Sequence, residues 1–181
     1  IQGQNNDGFN GYRVGTMFAE RWANNTPIAA FKTYQTVSPL PAGIYEVSAV
    51  ATFNGTGATL FANENSVTVT DVNRYSVLCQ IDEMGEITLG VQGVDPTGSW
   101  FKVDDFQLKY IGTEFPAYTL VTGKMESAVA TAQTAAETAF TGSKTVANYN
   151  ALLAAINNAQ ASVNAYAAAK AEIDKANETL N

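Results

Sequence analysis

The sequence contains no histidine and a single cysteine, and only 15% of its 181 residues are charged. Without histidine it cannot form a Ser-His-Asp or Cys-His catalytic arrangement, or a zinc site with histidine ligands. Cys79 cannot form an internal disulfide, and it lies in an alternating run of apolar residues, which favours a buried structural thiol. Cysteine usage therefore leaves the cellular compartment undecided, and most familiar enzyme chemistries are excluded.

Basic residues and long apolar runs are also scarce. Ten Lys and Arg residues stand against 17 Asp and Glu, which gives a formal net charge of −7 at pH 7. A protein that binds nucleic acid or an anionic membrane needs the opposite sign, so neither partner is expected. No apolar run is long enough to cross a membrane, and the first residues do not form a signal peptide. Because the chain opens abruptly at Ile1, we expect a mature or trimmed product.

Composition changes sharply along the chain. Residues 1–112 hold 12 of the 14 glycines and both tryptophans, whereas residues 113–181 hold 19 of the 28 alanines. Between these parts, Gly112 and Pro116 can end a strand and precede a helix. The sequence therefore predicts two domains, 1–112 and 113–181.

In the first domain apolar and polar residues alternate with a period of two. Its clearest run places Tyr45, Val47, Ala49, Ala51 and Phe53 on one face of a strand, with more polar residues between them. Further short runs follow the same rule, separated by turn sequences rich in Pro and Gly. Many short strands at such spacing predict an antiparallel β-sandwich of the jelly-roll type.

One strand changes phase within itself. Phe101 and Val103 fit one core-facing phase, whereas Phe106, Leu108 and Tyr110 fit the other. A β-bulge at Asp104 and Asp105 would reconcile the two phases. Two adjacent carboxylates at such a kink either bind a cation or face solvent, and the residues alone leave both interpretations open.

In the second domain the apolar residues recur with the spacing of a helix. An apolar seam with 3-4 spacing begins at Tyr149 and Leu152, and an earlier stripe begins at Val121 and Met125. Residues 141–144 are typical of a helix end followed by a restart, so an antiparallel helical hairpin is predicted. Alanine buries little area, so we expect the hairpin to lean on the sandwich or on a further helix. Lys170 and Asn177 within the later seam indicate that its lower end is exposed.

Carboxylates are scattered without a surrounding motif, so catalysis by an acidic pair is the third and weakest hypothesis.

Sugar binding has better support, because pyranose rings stack on aromatic side chains while their hydroxyl groups bind amides, carboxylates or Arg. Several loop-like segments combine these residue types. The candidate ligand-binding residues are Trp22, Trp100, Tyr12, Arg21, Asn24, Asn63 and Asn65. The competing interpretation is that the tryptophans belong to the core and the asparagines form turns.

The order of several segments resembles a known family. Ala19–Trp22, Tyr34–Val37 and Leu40–Val47 resemble the "AE-W … YQT … LPAGxYxV" passage of galactose-binding-like jelly-roll domains. Later segments look like the rest of that pattern, at residues 58–63, 85–91 and 100–112. Such domains occur as parts that resemble carbohydrate-binding modules in secreted or surface proteins of glycan-degrading gut bacteria. The alanine-rich segment Tyr149–Ile156 is similar to helical modules found beside them.

The resemblance implies sugar binding at loops on one end or edge of the sandwich, and often a structural calcium ion. Asp104 matches the acidic position before the last strand, and Glu20 matches the acidic position of the first segment. Asp105 stands where an amide is common in the family. The implied metal candidates are therefore Glu20, Asp104 and Asp105.

These observations together predict a noncatalytic carbohydrate-binding module of a secreted or cell-surface glycan-utilisation protein. Its expected partners are an oligosaccharide or polysaccharide and other domains of a longer parent protein. The alternative is a structural or adhesive spacer, or a protein-interaction module, within a larger surface protein. Exposed tryptophans favour the binding function, whereas fully shielded tryptophans favour the spacer.

Overall fold

The computed structural model describes residues 12, 14, 15 and 17–179. The chain forms two compact units that divide between Phe115 and Pro116. The first unit is built of strands and the second of two helices. The strands are β1 (Ala19–Trp22), β2 (Phe31–Leu40), β3 (Gly43–Phe53), β4 (Ala58–Ala62), β5 (Asn65–Thr68), β6 (Asn73–Ile81), β7 (Gly85–Gly93) and β8 (Trp100–Gly112). The helices are α1 (Ser127–Gly142) and α2 (Val146–Thr179).

The strands form two antiparallel four-stranded sheets. Their orders are β1-β8-β3-β6 and β2-β7-β4-β5, so the chain passes back and forth between the sheets as in a jelly roll. The predicted antiparallel sandwich is therefore confirmed. Side chains from the inner faces of both sheets form one buried core.

Strand β3 lies at the centre of its sheet and is buried along nearly its whole length. Tyr45, Val47 and Ala49 point into the core, as their alternation predicts. Val50 has the opposite phase, and it is covered on the outer face by Phe18 and Val72. This second, smaller cluster explains why β3 carries apolar residues in both phases.

The predicted bulge in β8 is confirmed. Between Ser48 and Val50 of β3, the register on β8 jumps from Gln107 to Asp104, so β8 holds one extra residue there. The extra residue coincides with Asp105, whose φ of 49° is in the left-handed region. Beyond the bulge Leu108 packs against the core.

The expectation that Phe106 faces the core is wrong. Its side chain is exposed, because it lies directly after the bulge and before the inward phase is restored. Tyr110 is also partly exposed, although its ring meets that of Tyr45 edge-on, with the two centroids 5.1 Å apart.

The second unit contains the predicted helical hairpin. A short link joins α1 to α2, and Asn148 in the first turn of α2 donates from Nδ2 to Ser143 O of the link at 2.7 Å. Phe140, Tyr149 and Leu152 are buried between the helices. No helix in the described part of the chain is long and apolar enough to cross a membrane.

An extended segment before α1 forms a third layer on this hairpin. Gln133 of α1 is buried, and its amide donates to Val121 O at 3.0 Å and accepts from Val121 N at 3.1 Å. Tyr149 Oη donates to Pro116 O at 3.0 Å. The prediction that Val121 and Met125 begin a helical stripe is therefore wrong, because both residues precede α1.

Candidate functional site

The two tryptophans of the chain lie side by side on one sheet. Edge strand β1 pairs with the start of β8, which places Trp22 directly opposite Trp100 and Glu20 directly opposite Lys102. Side chains directly opposite each other on neighbouring strands have Cβ atoms about 5 Å apart. Phe101 points into the core, so these four side chains all lie on the outer face.

The four side chains surround a shallow cleft of about 310 Å³, which Ala23 and Ser99 also line. Trp22 is 59% exposed, and Trp100 is half-buried. The cleft therefore presents aromatic surface to solvent, which is the condition that the sequence-based binding hypothesis required.

An ion pair flanks the aromatic surface. Lys102 Nζ lies 3.6 Å from Glu20 Oε1, and the two side chains are only 12% and 9% exposed. The same ammonium lies 5.3 Å from the centroid of the Trp100 ring and 5.3 Å from that of Phe18. Glu20, a candidate metal ligand from the sequence, is therefore the partner of Lys102.

Two loops hold the backbone of the cleft. Trp100 N donates to Asn54 Oδ1 at 3.0 Å, and Asn54 Nδ2 donates to Ser99 Oγ at 3.0 Å. Gly98 lies so close to the Asn54 side chain and the Phe53 ring that an added Cβ would collide with both. Sequence reasoning missed Asn54 and Lys102. Lys102 could have been found, because strand alternation places it on the same face as Trp100.

Arg21 lies outside the tryptophan cleft, although it precedes Trp22 in sequence. It pairs with Phe101, so its Cβ lies on the inner face of the sheet, opposite to the face of the cleft. Its guanidinium carbon is 5.8 Å from the centroid of the Phe31 ring, beside a smaller cleft of about 170 Å³.

The remaining ligand-binding candidates are dispersed. Tyr12 and Asn24 are exposed, and neither is among the described residues that line the cleft. Asn63 lies in the turn between β4 and β5, and Asn65 is the first residue of β5, in the other sheet. Asn63 has a φ of 51°, and its Oδ1 accepts from Thr88 N at 3.0 Å. This geometry is that of a turn-forming asparagine.

The acidic pair at the bulge is engaged by protein groups. Asp104 Oδ2 accepts from Val14 N at 3.1 Å, and its Oδ1 accepts from Asp105 N at 2.8 Å. Asp105 forms an ion pair with Arg74 and accepts from Gln107 Nε2 at 2.9 Å. The hydrogen bond from Arg74, followed by that from Gln107, lowers the pKa of Asp105.

These contacts bear on the implied calcium ion. In the part of the chain that the structure describes, no three acidic or cysteine side chains converge on a point that could hold a metal. Calcium takes six to eight oxygen ligands. Glu20, Asp104 and Asp105 each already have a protein partner. Calcium binding by these residues stays a prediction.

Comparison with known proteins yields a likeness to solved structures but not to a known family. No family model matches the chain, and no curated protein matches it. The solved structure of TmCBM61 in complex with β-1,4-galactotriose is similar at 22% sequence identity and a TM-score of 0.43. The likeness covers 56% of this chain and 75% of that one.

Proposed function

We propose that this protein is a noncatalytic carbohydrate-binding module and that the cleft between Trp22 and Trp100 is its binding site. The observation that carries the proposal is the direct pairing of the two tryptophans beside the Glu20–Lys102 ion pair. We further propose that the module belongs to a secreted or cell-surface glycan-utilisation protein, as the resemblance in sequence implies.

The chemistry of the cleft matches the two kinds of surface that a sugar presents. The apolar C–H face of a pyranose stacks on an indole ring, and Trp22 offers most of its ring to solvent. The hydroxyl groups on the edge of the sugar need hydrogen-bond partners, which Glu20 supplies as an acceptor and Lys102 as a donor. Hydrogen bonds to charged groups are worth about 1.5–3 kcal/mol each, more than those between neutral groups.

The size of the cleft indicates the size of the ligand. Small-molecule sites occupy about 300–1,000 Å³, and the cleft lies at the lower end of that range. It is shallow, and it lies at the edge strand of its sheet. We therefore propose that it holds a short segment of a glycan whose remainder stays in solvent.

A glycan array with matched variants tests the proposal. The wild-type protein should bind at least one glycan, and folded Trp22→Ala should lose that binding because its stacking surface is gone. Tyr34→Ala is the control, since Tyr34 is an equally exposed aromatic residue (62%) on the other sheet. Silence across the array, or equal loss in both variants, would contradict the assignment. An unchanged bound glycan after long incubation supports the noncatalytic part, and hydrolysis would overturn it.

The second candidate function is a protein-interaction module or adhesive spacer of a larger surface protein. A groove of about 630 Å³ on α2, lined by Val163, Tyr166 and Ile173 among others, favours it. This function predicts no glycan response and an association that depends on the helical unit. It is compatible with a carbohydrate site in the sandwich, because the two surfaces lie on different units.

A further inference from the structure

Helix α2 is about twice as long as α1. The two helices have 34 and 16 residues, and the start of α1 is marked by Glu126 N, which donates to Ser162 Oγ at 3.1 Å. Residues 163–179 of α2 therefore extend beyond the end of α1. At 1.5 Å per residue this projecting half is about 25 Å long.

The apolar seam of the hairpin continues into the projecting half. Leu152 and Ala159 are fully buried in the hairpin, and the same 3-4 spacing then continues through a second set of residues. In this second set Tyr166 is 45% exposed and Ile173 is 61% exposed. The residues that continue the seam are Val163, Tyr166, Lys170, Ile173 and Asn177.

The projecting half also carries a groove. Its volume is about 630 Å³, and Lys124 closes one side, with its ammonium 5.0 Å from the centroid of the Tyr166 ring. Exposed apolar surface of this kind, continuous with a packed helix interface, is typical of a surface that docks another helix.

The sequence of the projecting half is complementary to itself when two copies run antiparallel. A two-fold axis between Lys170 and Ile173 places Ile173 of each copy beside the aliphatic stem of Lys170 of the other. The same axis sets the Tyr166 hydroxyl against the Asn177 amide.

Charge supports the same register. Lys170 Nζ is 2.6 Å from Asp174 Oδ2 of its own helix, and both side chains are exposed. In the antiparallel pair, each Lys170 also lies within reach of Asp174 of the second copy, so two unlike-charge contacts form across the axis. We propose that residues 163–179 of α2 dock a second copy of this chain in this antiparallel arrangement.

The projecting half spans fewer than the three to four heptads of a sustained coiled coil. The dimer should therefore depend on concentration. Sedimentation velocity of the full chain over a dilution series should show twice the 19.2 kDa monomer mass at high concentration and the monomer on dilution. A monomer throughout the series would overturn the proposal.

Replacing an apolar residue of the seam by a charged one tests where the two copies meet. Ile173→Asp places two carboxylates in the central layer of the pair and should abolish the dimer. Val94→Asp is the control, because Val94 is an equally exposed apolar residue (64%) in the sandwich and should leave the dimer unchanged. Loss of the dimer in both variants, or in neither, would contradict docking through α2.

Charge reversal tests the antiparallel register. Lys170→Glu alone and Asp174→Lys alone each place like charges across the axis, so each should weaken association by about tenfold. A mixture of these two variants should restore it, because each unlike pair then forms between copies while each helix keeps its internal repulsion. Circular dichroism confirms that both variants stay helical. A mixture that associates no better than its components would overturn the register.

Discussion

The side-chain amide of Asn54 holds the backbone of Trp100, with Trp100 N donating to Asn54 Oδ1 at 3.0 Å. Asn54 also donates to Ser99 Oγ, so a single residue of the β3–β4 loop binds both the first residue of β8 and the residue before it. The shape of the cleft therefore depends on the β3–β4 loop, although this loop does not line the cleft.

This relationship predicts an indirect effect on binding. Asn54→Ala should weaken glycan affinity without removing any cleft side chain, because Trp100 loses the bond that sets its position. Stability should fall by about 1–2 kcal/mol, because two hydrogen bonds in an exposed setting are lost. Isothermal titration and urea unfolding measure the two effects. Unchanged affinity in a variant with the expected loss of stability would show that Asn54 is irrelevant to the cleft.

The ion pair at the bulge predicts a pH dependence. Because Arg74 lowers the pKa of Asp105 in the folded protein, its contribution to stability is present above the unfolded carboxyl pKa near 3.8 and is lost as pH falls through the folded value. Asp105→Asn should reduce stability at pH 7 by about 1 kcal/mol or less, since the pair is partly exposed. Asn tolerates the positive φ at this position. Urea unfolding from pH 7 to pH 3 should show the two proteins converging, and parallel curves would contradict this role.

The buried thiol predicts a second pH dependence. Burial, and to a lesser extent the charge of Glu64, raises the pKa of Cys79 to about 11. Cys79 should therefore resist a thiol reagent at pH 8 until the protein unfolds. Stability should decline above the ordinary thiol pKa of 9 by about 1.4 kcal/mol per pH unit, until the folded value is reached. Cys79→Ala should lack this component, so an identical alkaline decline in both proteins would refute the assignment.

The paired hydrogen bonds between Gln133 and Val121 predict a local effect. Gln133→Ala leaves the Val121 amide and carbonyl without partners and should cost about 2–3 kcal/mol in the helical unit. Hydrogen exchange at the Val121 amide measures this directly, and protection there should fall sharply. The neighbouring exposed Thr134→Ala serves as control. Equal protection in the two variants would show that the amide does not hold the segment.

The protein contacts of the three candidate metal ligands predict that calcium does not stabilise the fold through them. Glu20, Asp104 and Asp105 already have protein partners, so calcium should not raise the melting temperature through them. A thermal-shift series with calcium followed by chelator checks this. A rise that Asp104→Asn abolishes would restore the metal site that the resemblance implies.

Local patterns sufficed to predict the sandwich, the bulge and the hairpin, because alternation, turn residues and helical spacing all act over a few residues. The cleft could be predicted only in part. Trp22 and Trp100 stood out as aromatic residues, but their pairing joins strands that are far apart in sequence. Register of that kind depends on packing rather than on local pattern.

The wrong predictions for single residues also have physical causes. Arg21 and Trp22 are neighbours in sequence and form one candidate site on that ground, but neighbours in a strand point to opposite faces. Gln133 was overlooked because a polar residue in a helix normally faces solvent, and only the folded chain brings Val121 to it. Phe106 lies at a bulge, where alternation fails for one residue.

Tryptophan fluorescence reports on glycan binding at the cleft itself, because both tryptophans of the chain line it. The protein would be titrated with a panel of oligosaccharides and soluble polysaccharides, with Trp22→Ala in parallel. Binding at the cleft should give a saturable change in emission and protection from a soluble quencher for at least one glycan, and both should be lost in the variant. No saturable change across the panel, or a change that persists in Trp22→Ala, would contradict carbohydrate binding at this cleft.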